Sequence, residues 1–562
     1  MMAALAVVGA ILMGCAGEDM ANEAPQAKNG NKVIQTTTIS LGGSAGTRAL
    51  DADGKKTFAV GDQIAIYYKN TSDELQLAES TALTANDISS DGKTATIKVE
   101  MTDPKPESQL RYIYPAAMGR TDIEPAEEIE NTINYEKLSD DQDGTLATLA
   151  SKFDLAVYDG KLTSNGGLPG SATLKNQLAI AEFTFKDYSG TDITSLITQL
   201  TIIQGDNSLT INRTAAAGPI YVAMSPCSDE DISIIATNGT NSYEKTATAK
   251  SLAANTMTPV TMKMQKVVDL SKLTADYEAQ DGDILTETLG TNVKISIADG
   301  AEIALRDMAI NGIDNESYQW AGITCLGDAT IILKDGSKNT VKGFHKDYPG
   351  IQTGPTGKTL VIKGEDQGTG SLDASPYDGG TKYSYGAGIG GGLDISCGDI
   401  NIQGGVITVT GGYGAAGIGV GEGYKGGNVS CGTITISGGN VTATGGHGAA
   451  GIGGGYAYNY GVTCGAITIS GGTVTAAGGD NAAGIGSGES NSGKTNTCGD
   501  ITITTDVTSV TATKGENATN SIGAGNSGTC GTVTIGGDAT TYAAGVAESP
   551  FVYPTPSVAL QQ

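Results

Sequence analysis

The residues with the most versatile chemistry recur at one position of a repeated glycine-rich motif in the second half of the chain. The third position of the motif GGxGAAGIG holds Tyr413, His447 and, in a variant copy, Asp480, with Glu516 at a similar place in a less regular copy. The loops between copies add four tyrosines: Tyr424, Tyr456, Tyr458 and Tyr460. Tyrosine rings can stack on sugar rings, and carboxylates can accept hydrogen bonds from sugar hydroxyls. If the copies stack in register, these residues predict a glycan-binding strip; the alternative is a row of solvated corner residues.

The surroundings of this motif do not indicate catalysis. Hydrolysis of a glycosidic bond needs two placed carboxylates, yet residues 381–562 contain only ten acidic residues, four lysines and no arginine. The aspartate of a calcium-binding GGxGxD repeat does not recur, and the whole chain has two histidines. We therefore expect no catalytic residues, no metal site and no cofactor. A polysaccharide enzyme of the pectate-lyase-like type remains an alternative.

The elements that would position the strip belong to a repeat of about 33 residues. Copies begin CGDINIQGGVITVTGG at 397, CGTITISGGNVTATGG at 431, CGAITISGGTVTAAGG at 464 and CGDITITTDVTSVTATKG at 498, with a partial copy at 530. Each copy holds two short alternating strands, a glycine-rich corner and a variable loop. One coil of a parallel β-helix per copy explains this pattern, because equivalent residues then stack about 4.8 Å apart. The AAGIG segment is expected to form a third, narrow wall.

The repeat also places cysteines in a column along the β-helix. We expect Cys325, Cys397, Cys431, Cys464, Cys498 and Cys530 to belong to it. Neighbouring members are close enough in principle for disulfides, but a single column does not make the tetrahedral cage that zinc requires. We expect mostly free, buried thiols. The repeats resemble carbohydrate-binding β-helix proteins in style, without matched site residues.

The chain begins with the apolar stretch MMAALAVVGAILMG, which ends at Cys15. It is too short to span a membrane and is typical of a secretory signal. Leu12-Met13-Gly14-Cys15 resembles the lipobox of bacterial lipoproteins, which implies lipid attachment at Cys15 and an outer-membrane location. The polar residues 16–34 predict a flexible tether.

Residues 35–265 contain short alternating runs bounded by turn residues, such as FAVGDQIAIYYK, LAIAEFTFKD and PIYVAMSP. This spacing predicts β-sandwiches. Thr47-Arg48-Ala49 followed by the run from Phe58 resembles the opening of the fimbrillin-like family. The resemblance implies a pair of transthyretin-like sandwiches in an exported lipoprotein related to pilus subunits and surface adhesins. It also implies possible proteolytic maturation at Arg48, for which an ordinary loop arginine is the alternative.

These observations predict an all-β protein with five segments. They are a lipoprotein signal (1–15), a tether (16–34), a fimbrillin-like β-sandwich module (35–265), a parallel β-helix solenoid (266–545) and a C-terminal cap or tail (546–562). The net charge of −27 argues against nucleic acid as a partner. The expected role is a surface adhesin or glycan-binding protein anchored by lipid, with host or dietary glycans or other surface proteins as partners. A pilus tip or accessory subunit is the main alternative.

Overall fold

The computed structural model describes residues 30–41, 57–124, 127–139, 142–153, 155–377, 384–491 and 493–554. Cys15 and Arg48 lie outside these ranges. Two compact units are present. The first comprises residues 1–137, 149–178 and 254–256, and the second comprises 138–148, 179–253 and 257–562. The prediction of an all-β chain is confirmed, because the described residues contain one short α-helix, Leu146–Lys152 (α1), and five 3₁₀ turns beside 44 strands.

The first unit is built on one sheet of seven strands. In chain order they are β1 (Lys32–Leu41), β2 (Ala65–Lys69), β3 (Leu75–Glu79), β4 (Thr94–Thr102), β5 (Gln109–Tyr114), β6 (Ala156–Lys161) and β7 (Ser171–Asn176). They are ordered β3-β2-β5-β6-β7-β1-β4, and a bridge between Ser80 and Val99 links the two edges. The alternating apolar residues turn inward, with Ile66, Ile97 and Tyr112 fully buried. Strand β1 lies between β4, its antiparallel neighbour, and β7, its parallel neighbour.

The second unit opens with a two-sheet sandwich. Its strands are β8 (Ala179–Lys186), β9 (Gln199–Gln204), β10 (Asn207–Asn212), β11 (Ile220–Met224), β12 (Cys227–Thr237), β13 (Ser242–Leu252) and β14 (Met257–Lys263). One sheet has the order β11-β8-β14, and β9 pairs with both β10 and β12 in the other. Phe183, Phe185, Ile202 and Ile234 fill the space between the sheets.

The rest of the second unit is a continuous stack of coils. The early coils are less regular than the late ones. The early strands are β15 (Gln265–Asp269), β16 (Tyr277–Ala279), β17 (Ile284–Thr288), β18 (Ile295–Ile297), β19 (Ala301–Asn311), β20 (Ile323–Cys325), β21 (Ala329–Leu333), β22 (Lys338–Lys342), β23 (Ile351–Gln352), β24 (Thr359–Gly364) and β25 (Ser371–Ser375).

The late, regular coils contain the remaining strands. They are β26 (Ile389–Gly390), β27 (Asp399–Ile402), β28 (Val406–Thr410), β29 (Ile418–Gly419), β30 (Val429–Cys431), β31 (Ile434–Ile436), β32 (Asn440–Thr444), β33 (Ile452–Gly453), β34 (Val462–Cys464), β35 (Ile467–Ile469), β36 (Thr473–Ala477), β37 (Ile485–Gly486), β38 (Asn496–Cys498), β39 (Ile501–Ile503), β40 (Ser509–Thr513), β41 (Ile522–Gly523), β42 (Thr529–Cys530), β43 (Val533–Ile535) and β44 (Phe551–Tyr553).

Parallel pairing between successive coils confirms the β-helix. The Ile-x-Ile strands β31, β35 and β39 stack in one face, and β32, β36 and β40 stack in the next. Inward side chains such as Ile436 and Val441 are fully buried. Burial of each such side chain contributes about 1.5–3 kcal/mol, and every coil covers its neighbour's core.

The Ile-Gly strands form the narrow third wall that the AAGIG segment predicts. Strands β29, β33 and β37 stack through Ile418, Ile452 and Ile485. Gly453 has φ +133°, and an added Cβ there would lie 2.0 Å from the carbonyl oxygen of Gly486. Glycine is therefore required at this position both for its backbone angle and for the close approach of the next coil.

The cysteines lie in a fourth face that the two-strand description of the repeat did not include. In β30, β34, β38 and β42, Cys431, Cys464, Cys498 and Cys530 pair in register, and all are free thiols. The prediction was wrong for Cys325, which lies in β20. There Ile323 pairs with Ile351 of the third face, because Ala321-Gly322-Ile323 takes the place that Ala-Gly-Ile takes in later coils.

Both ends of the coil stack are covered within the second unit. Strand β13 pairs antiparallel with β15, with Ser242 opposite Val267, and Arg306 Nη1 lies 2.6 Å from Glu244 Oε1. At the other end β44 pairs antiparallel with β40. Such pairing satisfies backbone groups that would otherwise offer an open sheet edge to another chain.

Candidate functional site

The repeated third position of the GGxGAAGIG motif forms a column across successive coils. The N–H of Gly414 donates to the carbonyl oxygen of His447 over 3.1 Å, and the N–H of Gly448 donates to that of Asp480 over 2.9 Å. The Tyr413 and His447 rings are parallel, with centroids 4.8 Å apart and an interplanar angle of 6°. The predicted stacking of Tyr413, His447 and Asp480 is therefore present in the structure.

Two further columns begin three residues after the Ile-Gly strands end. Bridges join Gly423 to Ala457 and Ala457 to Ser490. The residues before these positions are Glu422, Tyr456 and Glu489, and the residues after them are Tyr424, Tyr458 and Asn491. Each loop thus presents one side chain to each column, and the register of the coils decides which side chains meet.

The columns line a cleft of about 640 Å³ on the side of the β-helix. Five tyrosines take part: Tyr385, Tyr413, Tyr424, Tyr456 and Tyr458. Neighbouring rings touch, with centroid distances of 6.4 Å for Tyr385–Tyr413, 5.4 Å for Tyr424–Tyr458 and 5.5 Å for Tyr456–Tyr458. His447 completes the aromatic surface, and its Nδ1 is buried without a hydrogen-bond partner in the described part of the chain.

Carboxylates form the polar part of the cleft. Asp347, Asp394 and Glu422 all line it. Asp394 accepts hydrogen bonds from the backbone N–H groups of Tyr424 and Lys425, each over 2.7 Å, and so fixes the loop that carries Tyr424. Burial raises the pKa of Asp347, whose Oδ1 has no partner among the described residues.

Glu422 is the most deeply placed of these acids, since only 4% of it is exposed. Its Oε2 would lie 2.8 Å from a Cβ added to Gly414, so the side chain packs against that glycine. Burial raises the pKa of Glu422 to about 7, and the charges of Asp394 and Asp347 add to this effect. A carboxyl group with a pKa near neutrality is poised to change charge when a ligand binds.

Two lysines border the cleft, and each already has a neighbour. The Lys346 ammonium lies 2.6 Å from Glu316 Oε1. Lys425 Nζ lies 4.9 Å from the centroid of the Tyr424 ring, a cation–π contact. Behind Lys346, His345 Nδ1 accepts a hydrogen bond from the N–H of Asp347 over 3.2 Å, which ties this loop to the buried His345 ring.

Not all of the sequence-predicted residues lie in this cleft. Tyr460 is 39% exposed and lies outside the lining, with Lys494 Nζ 6.0 Å from its ring centroid. Asp480 is exposed beyond the end of the cleft. Among the described residues no group of histidine, cysteine or acidic side chains has a metal-binding arrangement.

Sequence reasoning missed Glu422, Asp394, Asp347 and the role of Tyr385. For Tyr385 and Glu422 a usable signal existed. Tyr385 begins YGAGIG, one residue shorter than the YGAAGIG that begins at Tyr413, and Glu422 follows GIGVG as Tyr456 follows GIGGG. Asp347 and Asp394 carry no such signal, because loops of different length bring them to the cleft.

The family model described as a beta helix repeat matches residues 434–456 and 467–489. Both matched segments run from the Ile-x-Ile strand to the loop residue of the column that contains Tyr456 and Glu489. The family match therefore aligns the same residues of successive copies that the coils of the structure place next to each other. No curated protein matches the chain in sequence.

Several solved structures from Parabacteroides and Bacteroides species resemble part of the chain. A fimbrial assembly protein from Parabacteroides distasonis is 9% identical with a TM-score of 0.25, and the match covers 42% of this chain and 94% of that one. A candidate cell adhesion protein from Bacteroides fragilis is 14% identical with a TM-score of 0.23, covering 40% and 88%. Another from Bacteroides ovatus is 12% identical with a TM-score of 0.26, covering 42% and 95%.

No helix in the described part of the chain is both long and apolar enough to cross a membrane.

Proposed function

We propose that the protein is a cell-surface adhesin that is lipid-anchored to the outer membrane through Cys15 and captures glycans in the cleft of its β-helix, without chemical conversion of the ligand. The observation that carries this proposal is the convergence of five tyrosine rings from successive coils on one cleft of about 640 Å³. Rings of this kind offer flat apolar surface together with a hydroxyl group, which suits the faces and edges of sugar rings.

In this proposal the lipid anchor holds the chain at the membrane and the β-helix binds the ligand. The lipobox resemblance at Leu12–Cys15 supports attachment to the membrane, and the polar residues 16–34 would serve as a spacer. The described cleft residues lie on rigid, hydrogen-bonded coils, so a ligand would meet side chains that are already in place. Preorganisation of this kind lowers the entropic cost of binding.

A glycan array probed with the full-length chain, with and without calcium, tests the proposal. Tyr458 and Tyr460 provide a matched pair, because both are 39% exposed but only Tyr458 lines the cleft. Tyr458→Ala should weaken binding about two- to tenfold, the equivalent of about 0.5–1.5 kcal/mol of ring contact. Tyr460→Ala should leave it within about twofold, since that ring is outside the cleft.

A blank array with a folded chain, or equal losses in the two variants, would contradict the proposal. Chromatography of the bound oligosaccharide after long incubation should show no shorter product. Release of product would instead favour the polysaccharide enzyme.

A pilus tip or accessory subunit is the second candidate, and one observation favours it. Strand β1 ends at Leu41, before Arg48, and lies between β4 and β7. Cleavage after Arg48 would separate β1 from the rest of the chain. If β1 then left the sheet, facing edges of β4 and β7 would become available to a strand from another subunit.

A further inference from the structure

The charged groups of the cleft leave an excess of negative charge. Asp347, Asp394 and Glu422 line it as acids. Of the two bases, Lys346 is 2.6 Å from Glu316 Oε1, so its charge is compensated by an acid outside this set. Lys425 is exposed and lies over the Tyr424 ring.

Glu422 is buried without compensation. Only 4% of the residue is exposed, and no hydrogen-bond donor or basic group of the described chain contacts its carboxylate; burial and the charges of Asp394 and Asp347 are what act on it. An ionised carboxylate is costly to bury unless it is paired and hydrogen-bonded. The carboxylate of Glu422 therefore lacks a partner until a positively charged or hydrogen-bond-donating group of a ligand enters the cleft.

The aromatic surface next to Glu422 suits a cation as well. Tyrosine faces attract ammonium groups through the ring quadrupole, and the chain itself places Lys425 Nζ 4.9 Å from the Tyr424 ring centroid. The Tyr413–His447 stack and the edge of Tyr456, whose ring centroid is 6.1 Å from that of His447, continue this surface.

We propose that the cleft selects glycans that carry a free, protonated amino group, with the ammonium bound against Glu422 and the sugar rings packed on the tyrosines. This inference rests on the proposed function and names the ligand class of the same cleft. A sugar fits better than a bare alkylammonium, because five tyrosines surround a volume of about 640 Å³, most of which an alkylammonium would leave empty.

Isothermal titration of the full-length chain at pH 7 with three hexasaccharides tests the inference. The probes are fully deacetylated chitohexaose, its N-acetylated counterpart and neutral cellohexaose. The deacetylated ligand should bind about tenfold or more tighter than either of the others, as expected for a charge-assisted hydrogen bond in a desolvated site.

Glu422→Gln should abolish this preference, because glutamine keeps the shape of the side chain but not its charge. The matched control is Glu489→Gln. Glu489 occupies the same column two coils further on, lies outside the cleft lining and is already hydrogen-bonded to Asn481 Nδ2 over 3.0 Å. That variant should retain the preference. Circular dichroism verifies the fold of both variants.

Equal binding of the three hexasaccharides, or a preference that survives Glu422→Gln, would overturn the amino-sugar inference while glycan capture stands. Failure of all three, together with a blank array, would overturn both. A tetralysine peptide that binds more tightly than deacetylated chitohexaose would overturn the sugar as ligand and assign the ammonium to a protein partner.

Discussion

Glu422 makes the stability of the β-helix depend on pH. Its pKa is about 7 in the folded chain, against an ordinary value of 4.5. A carboxyl group whose pKa is higher in the folded chain than in the unfolded chain contributes to stability at low pH. This contribution is fully present below about pH 4.5, where the group is protonated in both the folded and the unfolded state. It is lost as pH rises through 7, because the buried group must then ionise. From an ordinary pKa of 4.5 to about 7, at about 1.4 kcal/mol per pKa unit, the loss amounts to at most about 3–4 kcal/mol.

Glu422→Gln should therefore stabilise the chain at pH 8 and change its stability little at pH 5. Melting temperatures of the variant and the wild type at both pH values check this expectation. Glu489→Gln, at the hydrogen-bonded equivalent position, is the control. A Glu422→Gln effect of equal size at both pH values would contradict the raised pKa of Glu422.

At the residue scale, the sequence was sufficient for the column of Tyr413, His447 and Asp480. Those residues sit at a fixed offset from Ala-Ala-Gly-Ile, so the backbone repeat alone places them. The environment of Glu422 could not be predicted in this way. Its charge state depends on Asp347 and Asp394, which reach it from loops of unequal length. The length of a loop does not reveal which residues of neighbouring coils its side chains will meet.

The third wall of the β-helix depends on backbone contact between coils. A comparison of Gly453 with Gly427 separates the effect of this contact from that of backbone strain. Both residues have a positive φ, +133° and +118°, but an added Cβ at Gly427 meets nothing within 4 Å. Both alanine variants pay about 1–2 kcal/mol for the left-handed conformation. Gly453→Ala must also push apart two coils, so we expect its melting temperature to fall well below that of Gly427→Ala. Similar melting temperatures would show that the coils can relax around a methyl group.

The cysteines of the chain should react unevenly with thiol reagents. Burial raises the pKa of Cys325 to about 12, and hydrogen bonding to neighbouring thiols together with burial raises the pKa of Cys431 and Cys498. Cys530, at the end of the face, is only half-buried, and its hydrogen bond with Cys498 lowers its pKa.

Because the thiolate is the reactive species, iodoacetamide should alkylate Cys530 and the partly exposed Cys227 of the native chain first. Peptide mass spectrometry of a chain with Cys15 replaced by serine measures this order, and Cys530→Ser removes one of the two early sites. Early alkylation of Cys464, which is buried, would show that the coils open.

At the element scale, the sequence predicted the strands with clear alternation, such as β28 and β32, and the AAGIG wall. It did not predict the cysteine strands as a separate face. Strands of two or three residues, such as β42 and β34, are too short for an alternating pattern, and only pairing between coils defines them. The same shortness explains why Cys325 was assigned to the wrong face.

At the scale of the whole molecule, the mature N-terminus distinguishes the anchored adhesin from the pilus subunit. A diacylated Cys15 at the start of a chain that retains β1 is expected for the anchored adhesin. An N-terminus at Ala49 would mean that Lys32–Leu41 has been cut from the rest of the chain. Intact-mass and N-terminal peptide measurements on membrane fractions make the comparison, and Arg48→Ala should leave an anchored chain unchanged.

The side chains that line the cleft come from consecutive coils of the repeat. Removal of one unit of about 33 residues would bring different loops face to face and leave the stack below them intact. The cleft could therefore change its lining by whole coils while the strands that support it keep their pairing.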